Sequence, residues 1–143
     1  MLACDIVLAE DNTKFAMLEV KRGLLMTGGA TLRFVQRAGW GNAMKYLLTG
    51  LEFNSKEAYR MNLVQEIVNK NKLFIRAIEL AKLICNASPL AVKEVIKNSR
   101  LAQDSNKKAI SEFNSIQNKL IKSRDFKEGL KSFIEKREPN FKK

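Results

Sequence analysis

The chain has 143 residues, of which 45% are hydrophobic and 29% charged, and its formal net charge is +11. These proportions are typical of a folded globular domain and exclude a disordered chain. The sequence contains no histidine, which excludes a Ser-His-Asp or Cys-His nucleophile within it and removes the commonest metal ligand. Proton transfer by these residues therefore depends on carboxylates, lysine, tyrosine or cysteine.

The basic residues are concentrated in the second half of the chain. Residues 1–68 carry 8 basic and 7 acidic side chains, whereas residues 69–143 carry 18 and 8. This excess is either a surface for a polyanion, such as nucleic acid or a phosphorylated ligand, or a set of solvated, lysine-rich helix faces.

No apolar run approaches the ~18 residues of a membrane span, and the N-terminus lacks the basic start of a signal peptide. The sequence therefore predicts a cytoplasmic protein with no membrane partner.

Short apolar runs near the N-terminus predict strands. Leu2 to Leu8 forms a buried strand, and Thr13 to Val20 forms a second extended segment. The run LVQEIV at residues 63–68 predicts a third strand, and Asn62 before it stands where a positive φ is needed. Cys4 and Cys85 have no metal-ligand spacing, so they are predicted to be small buried hydrophobes, and no metal site is predicted.

Glu19 and a glycine pair form the first candidate site. Glu19 lies between Leu18 and Val20, and Gly28-Gly29 follows shortly before a helical run. A carboxylate in so apolar a segment is predicted to be inward-facing, and it is either ion-paired with Lys21 or Arg22 or catalytic. The glycine pair is either a turn and packing device or an anion site made by the free N–H groups of a helix N-terminus.

Helical spacing of apolar residues dominates the remainder of the chain. Two helices are predicted between Ala30 and Gly50, separated at Gly39, and Asn54-Ser55 is predicted to provide the N-cap of a third. Four more are predicted in the second half, at Leu73 to Cys85, Leu90 to Leu101, about 107–122, and Asp125 to Arg137. The last helix is predicted to bury its apolar face, which consists of Phe126, Leu130, Phe133 and Ile134.

Four blocks of the sequence resemble the C-terminal half of the crotonase superfamily, the enoyl-CoA hydratase/isomerase group. They are ACDIVLAEDNTKF at 3–15, EVKRGLLMTGGATLR at 19–33, AMKYLLTGLEFNSKEAYRMNLVQEIV at 43–68 and EGLKSFIEKREPNF at 128–141. The blocks occur in family order and spacing. The resemblance implies an α/β fold, with a partial ββα spiral over residues 1–68 that carries Glu19 and the Gly28-Gly29 turn. A helical trimerisation region over residues 69–143 follows it.

The resemblance also implies acid/base chemistry on acyl-CoA thioesters, with coenzyme A as part of the substrate and no separate cofactor. In the family, two backbone N–H groups polarise the thioester carbonyl as an oxyanion hole. The glycine that supplies one of them, and a first catalytic glutamate, lie in a segment just upstream of the ACDI-type strand. These 143 residues do not contain that segment, so the chain is expected to be incomplete or inactive alone. The second family glutamate matches Glu19, which is the predicted catalytic residue.

Three residues are predicted from the same resemblance to bind substrate. Thr27 stands where many hydratases have a glycine that makes room for the attacking water, so hydration and isomerisation both stay open. Gly28 belongs to the same turn. Lys136 falls where the family often places a lysine near the CoA phosphates; the alternative is a solvated lysine that favours the helix dipole.

Three functions therefore stay open on the sequence. The first is an acyl-CoA enzyme with Glu19 as acid and base, and the second is a non-catalytic oligomerisation module. The third is a basic nucleic-acid binder, for which no reading motif is visible. The first is the prediction, with a homotrimer or dimer of trimers as the assembly and no nucleic-acid partner.

Overall fold

A computed structural model describes residues 1–22, 24, 26, 29–104 and 106–141, without the side chains of residues 22, 104, 106–110, 113 and 114. The chain divides into two compact units, Met1–Ala77 and Ile78–Lys143. The predicted functional division at residue 68 stays a prediction. Arg76 forms a two-pronged ion pair with Glu66, Nε to Oε2 at 2.7 Å and Nη2 to Oε1 at 2.9 Å. Through this contact Arg76, which follows the predicted division at residue 68, is held in the first unit.

Among its described residues, the first unit contains four short strands in two pairs. β1 (Leu8–Glu10) pairs in parallel with β4 (Glu66–Val68), and β2 (Lys14–Phe15) pairs antiparallel with β3 (Phe53–Asn54). The registers place Ala9 opposite Ile67 and Phe15 opposite Phe53. The mixed α/β class predicted from the sequence is thus confirmed.

The strands are shorter than predicted, because a strand extends only as far as its partner does. Leu2 to Leu8 was predicted to be a buried strand, yet the chain turns at its start, where the Cys4 amide donates to the Met1 carbonyl at 2.9 Å. Cys4 and Ile6 are exposed. The strand predicted over Thr13 to Val20 ends at Phe15, and the one predicted over LVQEIV begins only at Glu66.

Three helices of the first unit begin and end near the predicted residues. Their bounds are α1 (Ala30–Ala38), α2 (Trp40–Thr49) and α3 (Ser55–Arg60). Gly39 separates the first two, and Gly50 ends α2 with φ 58°. Within the predicted Asn54-Ser55 cap, Asn54 is the residue that caps α3, because its Oδ1 accepts from the Glu57 amide at 2.9 Å. Asn62 has the predicted positive φ, 61°.

The hydrophobic core of the first unit is built around aromatic rings. The ring centroid of Phe53 is 4.5 Å from that of Tyr46 and 5.9 Å from that of Phe34, and Phe15 stacks on Phe53 at 5.5 Å. The residues buried around these rings are small or aliphatic: Ala9, Met26, Ala38, Ala43, Leu47, Ala58, Met61, Leu63 and Val64. Within the described side chains, every fully buried apolar residue belongs to this unit.

Glu57 links the core to the surface and makes stability depend on pH. Its carboxylate accepts from Arg60 Nε at 2.7 Å and from the Tyr46 hydroxyl at 2.9 Å. Chiefly through the Arg60 hydrogen bond, the pKa of Glu57 is lowered from 4.5 to about 2. A carboxylate whose pKa is lowered by folding stabilises the fold at pH values above its ordinary pKa, and this stabilisation is lost as the pH falls towards 2.

We therefore expect Glu57→Gln to lower the free energy of unfolding at pH 7 by about 1 kcal/mol, the scale of one charge-assisted contact near the surface. Urea denaturation at pH 7, 4.5 and 3 measures it, and the variant should lose less stability than the wild type between pH 4.5 and 3. Glu52→Gln is the matched control, since Glu52 pairs with Lys14 between mostly exposed side chains. If Glu57→Gln loses as much stability as the wild type between pH 4.5 and 3, the assignment is contradicted.

The second unit is helical. A long helix, α4 (Leu73–Cys85), contains the division between the units, and it is followed by α5 (Pro89–Asp104), α6 (Asn106–Ile121) and α7 (Arg124–Ile134). Ion pairs Lys119–Glu94 and Lys97–Glu112 join α5 to α6. Ser88 caps α5, with its Oγ accepting from the Ala91 amide at 3.2 Å.

Two predictions about burial are wrong, one for the apolar face of α7 and one for the two cysteines. The apolar face of α7 is exposed in the single chain, with Phe133 82% and Ile134 71% accessible. Cys4 and Cys85 are exposed free thiols. Periodicity correctly places apolar residues on one face of a helix, but it does not show that this chain supplies the surface that covers them. No helix within the described ranges is long and apolar enough to cross a membrane.

Candidate active site

Glu19 begins a turn of 3₁₀ helix (Glu19–Arg22) instead of lying in a strand. The turn is closed by the Lys21 amide, which donates to the Leu18 carbonyl at 3.1 Å, and by the Leu24 amide, which donates to the Glu19 carbonyl at 3.0 Å. Glu19 is half-buried, and Leu18 and Val20 beside it are 41% and 37% exposed. The carboxylate therefore lies at a partly accessible turn, not between two buried apolar neighbours.

Lys21 is not the ion-pair partner of Glu19. Its aliphatic stem crosses the end of α2, where a Cβ added to Gly50 would lie 3.0–3.2 Å from Lys21 Cε, Cγ and Cδ. The side chain of Arg22, the other predicted partner, lies outside the described atoms. No side chain of the described part hydrogen-bonds to the Glu19 carboxylate or pairs with it. The group is consequently placed where a ligand can meet it.

The glycine turn is described only at its second residue. Thr27 and Gly28, both predicted to bind substrate, lie outside the described residues. Gly29 has φ 80°, a left-handed conformation that favours glycine, whereas the Arg33 guanidinium that a Cβ would meet is the end of a flexible side chain and can move aside. Its carbonyl accepts the first helical bond of α1, from the Arg33 amide at 3.0 Å. The left-handed backbone of Gly29 fits a turn, and the choice between a turn device and an anion site stays a prediction.

Lys136 lies just beyond the end of α7 and is exposed. Its backbone is left-handed, with φ 51°. Among the residues that the structure describes, no carboxylate pairs with its ammonium group. Lys136 is thus available to an anion.

The sequence interpretation missed two residues beside Lys136. Arg137 forms a two-pronged ion pair with Glu128, with Nη1 to Oε1 at 2.6 Å and Nη2 to Oε2 at 3.2 Å. Chiefly because of this guanidinium, the pKa of Glu128 falls to about 2. Both residues lie in the block at 128–141, but a spacing of nine residues across a helix end has no helical periodicity by which to recognise a contact.

The chain thus combines a mixed α/β unit, which has an unpaired, half-buried carboxylate at a turn, with a helical unit that has an exposed lysine at its end. Comparison with known proteins identifies the family. The family model "Enoyl-CoA hydratase/isomerase" matches residues 1–143. The chain therefore belongs to the enoyl-CoA hydratase/isomerase family, and the sequence-based recognition is confirmed.

Individual relatives support the same assignment. The chain is 29% identical to mevalonyl-coenzyme A hydratase of Aspergillus fumigatus, over 97% of this chain and 53% of that protein. It is 34% identical to an enoyl-CoA hydratase of Mycobacterium tuberculosis, over 96% and 52%. A crystal structure of a probable enoyl-CoA hydratase/isomerase from Mycobacterium abscessus superimposes with a TM-score of 0.95 at 39% identity, over 99% of this chain and 55% of that one. The chain thus spans about half the length of the relatives that it matches.

Proposed function

We propose that this chain acts on acyl-CoA thioesters and that Glu19 transfers a proton at the α- or β-carbon of the acyl group. The observation that carries the proposal is the Glu19 carboxylate itself. It is half-buried, held by a hydrogen-bonded turn and unpaired within the described part of the chain. Family membership supplies the substrate class, since the relatives named above are CoA hydratases by name.

Proton transfer requires a group that can both accept and release a proton near the working pH, within hydrogen-bond reach of the reacting carbon. The chain contains no histidine, and we propose the half-buried Glu19 carboxylate for this role. Polarisation of the thioester carbonyl is a separate task, carried out in the family by backbone N–H donors. The resemblance places one of these donors upstream of the ACDI-type strand, so we propose that residues 1–143 alone supply only part of the catalytic apparatus.

The choice between hydration and isomerisation belongs to the same proposal. Thr27 occupies the position at which many hydratases have a glycine next to the attacking water. We propose Thr27 and Gly28 as substrate contacts in the turn that leads to α1. Assay of the Glu19→Gln variant, together with the wild type, on an enoyl-CoA thioester tests the chemistry.

Lys136 is proposed as a contact for the phosphates of CoA. We expect Lys136→Ala to weaken CoA binding about five-fold, because a single exposed charge-assisted contact contributes on the order of 1 kcal/mol. Isothermal titration calorimetry measures the affinity. Lys127→Ala, which removes an exposed lysine on α7, is the matched control and should leave CoA binding unchanged. Equal affinities of the wild type and Lys136→Ala at low and high salt would contradict the proposed contact.

A second candidate function, an oligomerisation module without chemistry, is favoured by the exposed face of α7. Phe126, Leu130, Phe133 and Ile134 lie at helical spacing on this face and are 44–82% accessible in the single chain. Apolar surface of this kind is covered by another protein surface in stable assemblies. A trimer, or a dimer of trimers, located in the cytoplasm remains the proposed form.

We expect the purified chain to self-associate at micromolar concentration. Light scattering coupled to size-exclusion chromatography measures its mass. Phe133→Glu is expected to reduce the mass, because a charge placed within an apolar contact is costly to desolvate. Phe133→Leu, which keeps the surface apolar, is the control. A monodisperse monomer in the wild type would contradict the proposal.

A further inference from the structure

The end of α7 has the geometry of a Schellman motif. The Lys136 amide donates to the Phe133 carbonyl at 3.3 Å, and the Arg137 amide donates to the Ser132 carbonyl at 3.1 Å. This pair of bonds places the residue after the cap in the left-handed region, where glycine is the usual residue and asparagine the usual substitute. Here that residue is Lys136, with φ 51°.

Two other helix ends of the chain show the ordinary solution to the same problem. α2 ends at Gly50, with φ 58°, and α3 is followed by Asn62, with φ 61°. After α3, the same pair of bonds forms, from Asn62 to Tyr59 and from Leu63 to Ala58. Lysine has neither the freedom of glycine nor the short polar side chain of asparagine, so local preference does not explain its presence at residue 136.

The segment on either side of Lys136 is fixed by side-chain contacts. Besides its two-pronged pair with Glu128, Arg137 donates from Nε to Glu135 at 2.6 Å and from Nη1 to the Glu138 carbonyl at 2.9 Å. Glu128 also accepts from the Asn140 amide at 2.7 Å. The segment from Glu135 to Phe141, here called the C-terminal hook, is thereby folded back against α7.

The C-terminal hook holds the lysine backbone but leaves its ammonium group unpaired among the described residues. The neighbouring charges are engaged with one another, since Arg137 binds both Glu128 and Glu135. An unfavourable conformation that persists at one residue requires neighbours that impose it, and such positions cluster at ligand contacts. The pKa of Glu128, lowered to about 2 by Arg137 and the Asn140 amide, means that the carboxylate stays ionised at neutral pH.

Resting on the proposed function, we propose that Glu128 and Arg137 are positioning residues that hold Lys136 in its left-handed conformation and so direct its ammonium group towards the phosphates of a CoA thioester. Of these three residues, only Lys136 contacts the ligand. Glu128 and Arg137 act through it. This assignment gives a reason for a lysine at a helix end where glycine is the usual residue.

The experiment compares four variants of the 143-residue chain: Lys136→Gly, Glu128→Gln, the double variant, and Glu94→Gln as control. Isothermal titration calorimetry measures the affinity for CoA and for pantetheine, which lacks the phosphates, and thermal unfolding gives Tm. The control removes a partner of another ion pair in the second unit, that with Lys119. It therefore separates loss of stability from loss of positioning.

We expect Lys136→Gly to bind CoA about five-fold more weakly and to unfold roughly 2 °C higher, since glycine relieves the left-handed residue. Glu128→Gln is expected to weaken CoA binding and lower Tm. It should cause no further loss of affinity in the Lys136→Gly background, because it acts through Lys136. Pantetheine binding should not change in any variant. Glu94→Gln should lower Tm without weakening CoA binding.

Two results would overturn the inference while leaving the proposed function intact. Both assume that the wild type binds CoA. One is full CoA affinity in Lys136→Gly. The other is an equal loss of CoA affinity when Glu128→Gln is made in the wild type and in Lys136→Gly. Absence of CoA binding by the wild type would overturn the proposed function as well as this inference.

Discussion

Replacement of Glu19 by glutamine is expected to reduce the hydration of crotonyl-CoA by about 10²–10⁴-fold, the usual contribution of a positioned general acid or base. Glutamine keeps the size and hydrogen-bonding shape of the side chain but can neither take up nor release a proton. The turn that holds residue 19 is closed by backbone bonds from Lys21 and Leu24. The variant should therefore fold as the wild type does, and the loss should appear in kcat.

The assay requires the oxyanion segment that the family places before its ACDI-type strand. It is best supplied from the part of a full-length relative that this chain does not match, either fused or added as a separate chain. Without it, residues 1–143 are expected to turn over barely above background. Loss of one oxyanion donor costs about 10²–10³-fold, and loss of one of two acid/base groups costs a further 10²–10⁴-fold.

Glu52→Gln is the matched control for Glu19→Gln. Its carboxylate forms a surface pair with Lys14, 2.8 Å apart, and its removal should leave kcat unchanged. Full activity of the complemented Glu19→Gln variant, or robust turnover by the short chain alone, would contradict the catalytic assignment. Inactivity of both wild type and variants in the complemented form would favour the oligomerisation module.

The helices were predictable because their signals are local. Gly39 separates α1 from α2, Asn54 caps α3, and α4 has the predicted bounds, Leu73–Cys85. Each of these depends on a cap or a spacing within a few residues. The end of α7 was predicted three residues too late, at Arg137 instead of Ile134, because the left-handed turn there occurs at a lysine.

The strands and the environment of Glu19 were less predictable, since they depend on distant parts of the chain. β1 is limited to the three residues that pair with β4, almost sixty residues later. Glu19 was predicted to face inward and is half-buried, but its 3₁₀ turn is not encoded in the apolar character of its neighbours. The contact between Glu128 and Arg137 likewise depends on how the chain folds back after α7.

The largest effect on stability is expected for Phe34→Ala. Phe34 is fully buried on α1, with its ring 5.9 Å from Phe53 and 6.4 Å from Tyr46. Its removal leaves a cavity at the centre of the aromatic core and should lower the free energy of unfolding by about 3–5 kcal/mol. A typical domain has only about 5–15 kcal/mol in total, so a large share of the stability of the first unit depends on this ring.

Urea denaturation of Phe34→Ala measures the effect. Phe34→Leu leaves a smaller cavity and should lose less free energy of unfolding, so it keeps the effect measurable if the alanine variant does not fold. Leu32→Ala is the control on the same helix, because Leu32 is 68% exposed and its truncation should change the free energy of unfolding by less than about 0.5 kcal/mol. Equal effects of the two alanine substitutions would show that the core is not centred on Phe34. α1 begins at the glycine turn, and the end of α2 lies against Lys21. The stability lost in the Phe34 variants should therefore also reduce the activity of the complemented protein. That loss of activity should follow the unfolded fraction, whereas the Glu19→Gln effect should be present in a fully folded protein.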